Sequence, residues 1–394
     1  MCAQVHQTTR RQALVPGGSL LGQQYCPIRP SIANVSRVDN DLGMNFASDN
    51  TAGMAPEIMA ALTAANDGFV LGYGNDDQTR RVEQRIGELF ERQVAVFLVP
   101  TGTAANALAL AHVSPPWGAV FAHAEAHIIT DECGAPEFFG GGLKLIGLPG
   151  VGCKVSPQTL ASELAPYTGH APHQVIPAAL SFAQATEAGT IYRPDEIAAL
   201  AGIAHARGMK VHMDGARFAN ALTRLNASPA EATWKAGVDV LSFGATKGGA
   251  LAAEAVVFFD PALAEHMGER RKRAGHLLSK HRFLSAQFEA FLANDCWLRL
   301  ARHANAMADR LAGGLAAVGC APVWQVEANL VFVVISKTVE ARLKAAGARY
   351  YIRHSANLPE GVIMTDDDVL IRLVASFATR ETEVDRFIEL AAKG

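Results

Sequence analysis

The sequence predicts an α/β protein with one large, mainly parallel sheet of seven strands and a smaller C-terminal α+β region. Two observations carry this prediction. Short apolar runs alternate with amphipathic helices up to about residue 258, and one such run passes directly into an Ala-rich helix. Beyond residue 285 the sequence becomes mostly helical. Strand, short turn and helix is the unit of a parallel sheet, and 394 residues exceed what one compact core usually fills.

The large region begins with a helix in TRRVEQRIGELFERQ, because Val82, Ile86 and Leu89 recur at helical spacing. VAVFLVP then predicts a buried strand that leads into the helix of TGTAANALALAH. AVFAHAEAHII, residues 119–129, is predicted as a strand throughout, and KLIGLPG as another short strand.

Four further apolar runs complete the predicted sheet. They are QVIPAALSFA, KVHMDGAR, VDVLSFGATK and AEAVVFFD. The helix between the first two, RPDEIAALAGIAHARG, has Pro194 at its start and Gly208 at its end, which is the usual asymmetry of helix termini.

The C-terminal region contains a long amphipathic helix, RLARHANAMADRLAGGLAAVG, followed by a predicted second sheet. Its strands are NLVFVVIS, RYYIRH and VLIRLVAS, with helices near 338–346 and from 380. We therefore expect an N-terminal extension over residues 1–38, predicted to be disordered, a large domain over 39–285 and a small domain over 286–394.

Composition limits the classes of function. The net charge of −3 argues against a nucleic-acid partner, and no apolar run is long enough to span a bilayer. Six cysteines without a Cys-x-x-Cys pair indicate a reducing compartment, and we expect a cytoplasmic protein without a metal site. The acid-free residues 1–38 faintly resemble a twin-arginine export signal, but Pro16 and Gly17 break its apolar part, which favours a plain extension.

Asp214 and Lys247 follow two successive strands of the predicted sheet. Each has an ordinary interpretation, Asp214 as a helix N-cap and Lys247 as a solvated surface charge. Together they suggest a ligand-binding site, because the carboxyl ends of parallel strands meet at one edge of the sheet, where α/β proteins bind their ligands. A pyridoxal phosphate (PLP) site uses a lysine as the Schiff base and an aspartate as the partner of the pyridine nitrogen. The glycines after Lys247 would let a cofactor and an amine approach closely.

Thr101-Gly102-Thr103 joins a predicted strand to a helix. The unpaired N–H groups and the dipole of a helix N-terminus suit a phosphate, although the same three residues could be a plain helix start. With Asp214 and Lys247 they would supply a third attachment point for PLP.

Seven stretches between about residue 45 and residue 376 carry a family resemblance. They are NFASDNTAGMAPEI, LGYGNDDQTRRVEQ, PTGTAANALAL, EAHIITDECGAPEFFGGG, HMDGARFANA, SFGATKGGA and IRLVAS. The sequence resembles the threonine aldolases of the β-eliminating lyase group, which are PLP enzymes of fold type I, the aspartate-aminotransferase-like fold. The resemblance implies cleavage of L-threonine, L-allo-threonine and related β-hydroxy-α-amino acids, with phenylserine as one candidate, to glycine and an aldehyde.

The resemblance also implies roles for individual residues. In the cofactor site, Lys247 would form the Schiff base, Asp214 would bind the pyridine nitrogen, and Arg217 would hold the ring oxygen or the substrate. Gly102 and Thr103 would bind the phosphate. The remaining expectations are that His127 stacks on the ring, Ser48 and Arg372 hold the substrate carboxylate, Tyr73 lines the site across a subunit boundary, and Lys280 reaches a neighbour's phosphate. A homodimer or homotetramer with shared sites is therefore expected.

Alternatives remain for several of these residues. His127 could be a core histidine, Ser48 could cap a turn, and Arg372 needs a partner because it lies in an apolar strand. The family's usual histidine is replaced by Glu187, so the base for the β-hydroxyl could be His127, Glu187 or a water. Glu187 is counted among the catalytic candidates.

Three other functions are compatible with parts of the sequence to different degrees. Another fold-type I PLP enzyme, a β-eliminating lyase or an aminotransferase, is the main alternative. A nicotinamide dehydrogenase would need Gly-x-Gly-x-x-Gly after an early strand, which the sequence lacks. A catalytically silent binding protein would purify without a chromophore.

Overall fold

The computed structural model describes residues 43–353, 358–359 and 361–392, and its centre is a seven-stranded sheet. The predicted extension, residues 1–38, lies outside the described residues. The strands are β1 (Ala95–Val99), β2 (Gly118–His123), β3 (Lys144–Leu148), β4 (Ile176–Ala183), β5 (Lys210–Gly215), β6 (Val240–Gly244) and β7 (Glu254–Phe258). Their order is β1-β7-β6-β5-β4-β2-β3. Five neighbouring strands, β3, β2, β4, β5 and β6, are parallel to one another, and β7 is antiparallel to both its neighbours, β6 and β1. The prediction of a mainly parallel sheet is therefore confirmed.

Helices accompany the sheet along the described chain. They are α1 (Pro56–Ala65), α2 (Asp77–Leu89), α3 (Gly102–Val113), α4 (His127–Thr130), α5 (Ala135–Phe139), α6 (Pro157–Leu164), α7 (Pro194–Ala206), α8 (Phe218–Leu222), α9 (Met267–Arg273), α10 (Arg282–Leu292), α11 (Cys296–Ala317), α12 (Lys337–Ala345) and α13 (Glu381–Ala392). None of these helices is long and apolar enough to cross a membrane.

The predicted strand over 119–129 is wrong in its second half. β2 ends at His123, where its last pairing with β3 also ends, and the chain then turns through a hydrogen bond from Ala126 N–H to the His123 carbonyl. His127–Thr130 is a short helix. Apolar residues continue beyond the strand because Ile128 packs into the core from this helix, so burial and not strand pairing explains the run.

An aromatic cluster lies beneath the carboxyl end of β6. Phe243 contacts Phe90, Phe218, Phe288 and Trp297, with ring centroids 5.5 to 5.9 Å apart. These rings come from the end of α2 and from α8, α10 and α11. Burying each ring contributes about 1.5–3 kcal/mol, so the turn that follows β6 rests on a rigid support.

A second, antiparallel sheet has the order β8-β10-β9, with β8 (Leu330–Ser336), β9 (Tyr351–Ile352) and β10 (Asp368–Val374). Phe46 packs against this sheet region, with its ring 5.3 Å from that of Phe387, and its carbonyl accepts from Val374 N–H. The segment just after Phe46 therefore lies beside β10. The domain boundaries at 38/39 and 285/286 stay predictions.

Candidate active site

Asp214 is the buried carboxylate at the end of β5. Its Oδ1 accepts from the Ala216 N–H at 3.0 Å, and its Oδ2 accepts from Asn106 Nδ2 at 2.8 Å. The next helix, α8, begins at Phe218, so Asp214 is not its N-cap. Burial alone would raise the pKa of Asp214, but Lys247 and His127 hold that pKa below its usual value. A buried, ionised carboxylate therefore stands at this edge of the sheet.

Lys247 lies in the turn after β6 and is only partly exposed, so it is not a solvated surface charge. Burial lowers the pKa of its amine, and repulsion by Arg217 lowers it further, whereas Asp49 and Asp214 oppose both effects. A lowered pKa leaves more of the amine neutral near pH 7, which is the form that attacks a carbonyl.

The glycines after Lys247 are required by protein packing, and the expectation that they let a cofactor and an amine approach closely stays a prediction. A Cβ at Gly248 would lie 2.8 Å from the Phe291 ring. Gly249 has φ +120°, and a Cβ there would lie 3.1 Å from Leu300. Helices α10 and α11 occupy the space that the missing side chains leave.

The N-terminus of α3 is open, and two of its N–H groups have no partner among the described residues. Thr101 is the N-cap: its hydroxyl oxygen accepts from Ala104 N–H at 3.1 Å and its carbonyl from Ala105 N–H. The N–H groups of Gly102 and Thr103 remain. A Cβ on Gly102 would meet nothing within 4 Å. These two donors, with the helix dipole, can bind a phosphate.

His127 belongs to a hydrogen-bonded network and is not an ordinary core histidine. Its Nδ1 lies 2.8 Å from Glu132 Oε1, and that same oxygen accepts from Asn106 Nδ2 at 2.8 Å. Asn106 Nδ2 also donates to Asp214, so the network runs from His127 through Glu132 and Asn106 to Asp214. The bond to Glu132 raises the pKa of His127.

Glu187, in the loop after β4, joins this network from the other side. Its Oε1 accepts from the His127 backbone N–H at 2.9 Å. Burial raises the pKa of Glu187 to about 7, so this carboxyl titrates near neutral pH. The structure therefore brings together five of the predicted residues or pairs of residues: Lys247, Asp214, Gly102–Thr103, His127 and Glu187.

Arg217 makes a bidentate ion pair that the sequence did not predict. Its Nε and Nη2 donate to the two oxygens of Asp49 at 2.8 and 3.0 Å. Asp49 is buried and also accepts from Asn329 Nδ2 at 3.1 Å. Burial would raise the pKa of Asp49, but Arg217 and Lys247 hold it low. The predicted contacts of Arg217 with a ring oxygen or substrate would be made while two of its nitrogens bind Asp49.

Arg372 has few partners for a partly buried guanidinium. Its Nη2 donates to the Ala47 carbonyl at 3.3 Å, its guanidinium lies 5.3 Å from the Tyr351 ring centroid, and its buried Nε has no partner among the described residues. Burial lowers the pKa of Arg372, and repulsion from Arg217 and Arg353 adds to this effect. Asp49 opposes this repulsion from a distance, but Arg372 forms no ion pair with any residue that the structure describes, as is expected of an arginine that binds a substrate carboxylate.

Ser48 caps a turn, as its ordinary interpretation predicts. Its hydroxyl oxygen accepts from Asn50 N–H at 3.1 Å at the start of a 3-10 helix over Asp49–Thr51. It nevertheless lies beside Arg372, whose guanidinium binds the carbonyl of Ala47. A substrate role for Ser48 is compatible with this position and stays a prediction.

Tyr73 and Lys280 lie on the exposed surface. Among the described residues, no hydrogen bond or ion pair connects either of them to Lys247 or Asp214. Tyr73 N–H donates to the carbonyl of Ser279, the residue before Lys280, at 3.0 Å, and Tyr73 as a whole is 49% exposed. Within one protomer these two residues are thus neighbours of each other. The predicted roles at a neighbouring subunit's site remain predictions.

Four residues of the site were not predicted from the sequence: Asn106, Glu132, Asp49 and Arg353. Asn106 is the polar residue in the apolar run of α3, and that was the available signal. Glu132 and Asp49 lie within matched motifs but have no distinctive spacing. Arg353 Nη2 pairs with Glu125 at 3.2 Å, and Arg353 lies close enough to Arg372 to repel it. Most of these contacts join elements far apart in sequence, although Glu132 lies only five residues from His127.

Comparisons with known proteins agree with this geometry. Residues 45–338 match the family described as beta-eliminating lyase. The chain is 45% identical over 313 residues to the low specificity L-threonine aldolase of Pseudomonas aeruginosa, covering 79% of this chain and 90% of that protein. Threonine aldolase of Leishmania major superposes with a TM-score of 0.82 at 30% identity, over 88% of this chain and 98% of that one. A serine palmitoyltransferase structure with PLP, at 16% identity and a TM-score of 0.64, covers 88% of this chain and 86% of that one and shares the fold alone.

Proposed function

Because the chain belongs to the beta-eliminating lyase family, among the low-specificity L-threonine aldolases, we propose that it cleaves L-threonine, L-allo-threonine and related β-hydroxy-α-amino acids. The products are glycine and an aldehyde, so the enzyme is a carbon–carbon lyase. The observation that carries the proposal is the meeting of Lys247, Asp214 and the open N-terminus of α3 at one edge of a sheet in a chain with this relationship.

The donor set fits PLP. Asp214 is ionised and buried, as the partner of a protonated pyridine nitrogen must be. Lys247 has an amine with a lowered pKa within electrostatic reach of Asp214. Gly102 leaves open space where a Cβ would stand, beside two free N–H groups for the phosphate. Lys247 would hold the cofactor covalently, and PLP would supply an electron sink for the electrons left on Cα when the Cα–Cβ bond breaks.

Arg372 is the proposed anchor of the substrate carboxylate, with Ser48 beside it. A guanidinium binds a carboxylate through two parallel hydrogen bonds, and the free Nε of Arg372 supplies one of them. Fixing the carboxylate also fixes the orientation of the Cα–Cβ bond, so this contact selects which bond at Cα is cleaved. Arg217, held by Asp49, is the proposed neighbour on the cofactor side.

Glu187 is the proposed acceptor of the β-hydroxyl proton. One of its oxygens is occupied by the His127 N–H, which orients the carboxyl and leaves the other oxygen for the substrate. A base with a pKa near the working pH is the most effective, and burial gives Glu187 a pKa of about 7. His127 is the proposed stacking partner of the ring.

We expect Glu187→Gln to lower kcat by about 10² to 10⁴, because the amide cannot accept the proton. In the parent enzyme, kcat/KM should rise as the pH increases through about 7, where Glu187 ionises, and the variant should lack this limb. Measuring kcat/KM for threonine between pH 5.5 and 9, as rough limits around that pKa, tests both expectations. Glu187→His, which restores the side chain usual in the family, is the matched variant and should recover activity. An unchanged limb in Glu187→Gln would exclude Glu187 as the base.

An exposed apolar loop supports assembly into a homodimer or homotetramer. We define the loop surface as Phe69, Val70, Leu71 and Tyr73, which are fully exposed, 54%, 70% and 49% exposed as whole residues. Large contiguous apolar exposure is unusual for a monomer. Tyr73 belongs to this surface and lies beside Lys280 through its hydrogen bond to Ser279, so a second copy that covers the surface would contact both residues. We propose the cytoplasm as the location, in keeping with the free thiols of the described cysteines.

Leu71→Asp should dissociate the assembly, because it introduces a charge into the proposed contact. Sedimentation of the variant should give a smaller species than the parent, with weakened PLP binding if Lys280 serves the neighbouring site. Val151→Asp is the matched control, since Val151 is 76% exposed outside the loop surface. Equal masses for the parent and Leu71→Asp would remove the loop surface from the interface.

Product analysis separates the aldolase from its main alternative. With threonine, the proposed enzyme should release glycine and acetaldehyde, in equal amounts. A β-eliminating lyase would instead release ammonia and an oxo acid, and an aminotransferase would require an amino acceptor. Ammonia without glycine would refute the proposed function.

A further inference from the structure

Glu132 is a buried carboxyl with no assigned role in the proposed reaction. Its side chain has no exposed surface, and its Oε1 receives both His127 Nδ1 and Asn106 Nδ2 at 2.8 Å. Oε2 is buried and has no partner among the described residues. A carboxylate taken out of water in this way needs a positive partner or a proton of its own. His127 is the cationic partner available to it.

Asn106 divides its amide between two carboxyl groups. The two hydrogens of Nδ2 go to Glu132 Oε1 and Asp214 Oδ2, each at 2.8 Å. Asn106 itself is 2% exposed, and its Oδ1 is without a partner among the described residues. The amide thus stands between two acids that would otherwise face each other, and it makes the position of Glu132 depend on that of Asp214.

The charges around His127 favour a proton on it. Glu132 and Glu187 contact it through Nδ1 and the backbone N–H, and Asp214 acts from β5. Lys247 is the opposing cation, and Glu132 is itself influenced by Asp214. The hydrogen bond to Glu132 raises the pKa of His127, while burial lowers it less strongly.

We infer that Glu132 and Asn106 are positioning residues that keep a proton between Nδ1 of His127 and Oε1 of Glu132, in addition to the proton on Nε2, so that His127 presents an Nε2–H donor to its ligand instead of a basic lone pair. Two arrangements of the pair are compatible with the short Nδ1–Oε1 contact. Either the imidazolium donates to the carboxylate, or the carboxylic acid donates to Nδ1 of a neutral ring. In both arrangements the hydrogen on Nε2 is present. This inference rests on the proposed function only for the identity of the ligand.

The same geometry assigns different tasks to two neighbouring groups. His127, with its proton retained, cannot take the proton of a β-hydroxyl group, so that task falls to Glu187. A donor at Nε2 can instead bind an oxygen of the substrate or cofactor. His127 is thus the hydrogen-bond donor, held in place by Glu132. Glu187 is the base, held in place by the backbone N–H of His127.

The experiment follows the His127 imidazole directly in the apoenzyme. Histidine labelled with ¹³C at Cε1 gives a resonance for each ring, and the signal lost in His127→Gln identifies His127. In the parent protein the titration midpoint should lie above the ordinary value of about 6.5. In Glu132→Gln, which keeps the shape and removes the charge, the midpoint should fall by about 1 pH unit or more.

Asn106 is tested by a double-mutant cycle with the same signal. Asn106→Leu should also lower the midpoint, and the combination with Glu132→Gln should lower it no further than Glu132→Gln alone, because both act through one network. If the leucine variant does not fold, Asn106→Ser replaces it. Asn305→Leu is the matched control: Asn305 is 3% exposed, bonded to Asn220 and outside the network, and it should leave the midpoint unchanged.

The outcomes distinguish this inference from the proposed function. A wild-type midpoint below about 6.5, or the same midpoint in the parent and Glu132→Gln, would overturn the inference whatever reaction is catalysed. If the midpoint falls as expected but threonine yields no glycine, the network stands and the proposed reaction fails. If glycine is formed but the midpoint does not move, the reaction stands and the network fails.

Discussion

Lys247→Ala is expected to reduce threonine cleavage to background and to remove the visible absorbance of the purified protein. Loss of the amine as a proton carrier alone costs about 10² to 10⁴ in kcat, and loss of the covalent attachment adds to that. The physical reason is the position of this amine after β6, within the fields of Asp214 and Asp49, with a pKa lowered by burial. Steady-state kinetics and an absorbance spectrum measure both effects.

Lys247→Arg is the matched variant for this prediction. The guanidinium keeps a positive charge beside Asp214 and Asp49 but is not a nucleophile near pH 7. If the charge alone mattered, the arginine variant would keep substantial turnover, whereas the proposed role predicts that it is as inactive as the alanine variant. Full activity in either variant would contradict the assignment of Lys247.

Arg372→Leu is expected to lower kcat/KM for threonine by about 10² to 10⁴. Two charge-assisted hydrogen bonds to a carboxylate contribute about 1.5–3 kcal/mol each. The same variant should unfold at an equal or higher temperature than the parent apoenzyme, because it removes an underpaired guanidinium that Arg217 and Arg353 repel. Opposite signs of the effects on activity and stability are typical of a residue kept for binding.

Arg353→Leu provides the comparison for Arg372→Leu. Arg353 already pairs with Glu125 at 3.2 Å, so its loss should cost less than about tenfold in kcat/KM. Kinetics with threonine and thermal unfolding of the apoenzymes separate the two variants. An unchanged kcat/KM in Arg372→Leu, or a larger loss in Arg353→Leu, would move the carboxylate site away from Arg372.

The positions of the catalytic and cofactor-binding residues at the strand ends could be predicted from the order of strands and helices along the chain. Asp214 lies at the carboxyl end of β5 and Lys247 in the turn after β6, and parallel neighbouring strands bring their carboxyl ends together. The N-terminus of α3 was equally accessible, since Thr101 is a favoured cap and the residues after it begin a helix. These predictions needed only local patterns and one rule of sheet topology.

Most contacts that tune these groups could not be predicted, because they join elements distant in sequence; the bond between His127 and Glu132, five residues apart, is the exception. Asn106 reaches Asp214 across 108 residues and Asp49 reaches Arg217 across 168. The need for Gly248 depends on the Phe291 ring from α10, which local sequence does not reveal. Likewise the strand predicted beyond His123 is wrong because the apolar residues there are buried by a short helix and not by strand pairing.

The covalent attachment site of PLP tests the central claim most directly. The holoenzyme, treated with borohydride to fix the link between cofactor and protein, is digested and its peptides are identified by mass spectrometry. We predict that the phosphopyridoxyl mass lies on the peptide that contains Lys247, and that Lys247→Ala protein carries no specific label. Stoichiometric label on another lysine, such as Lys280, or no label on protein that cleaves threonine, would contradict the account.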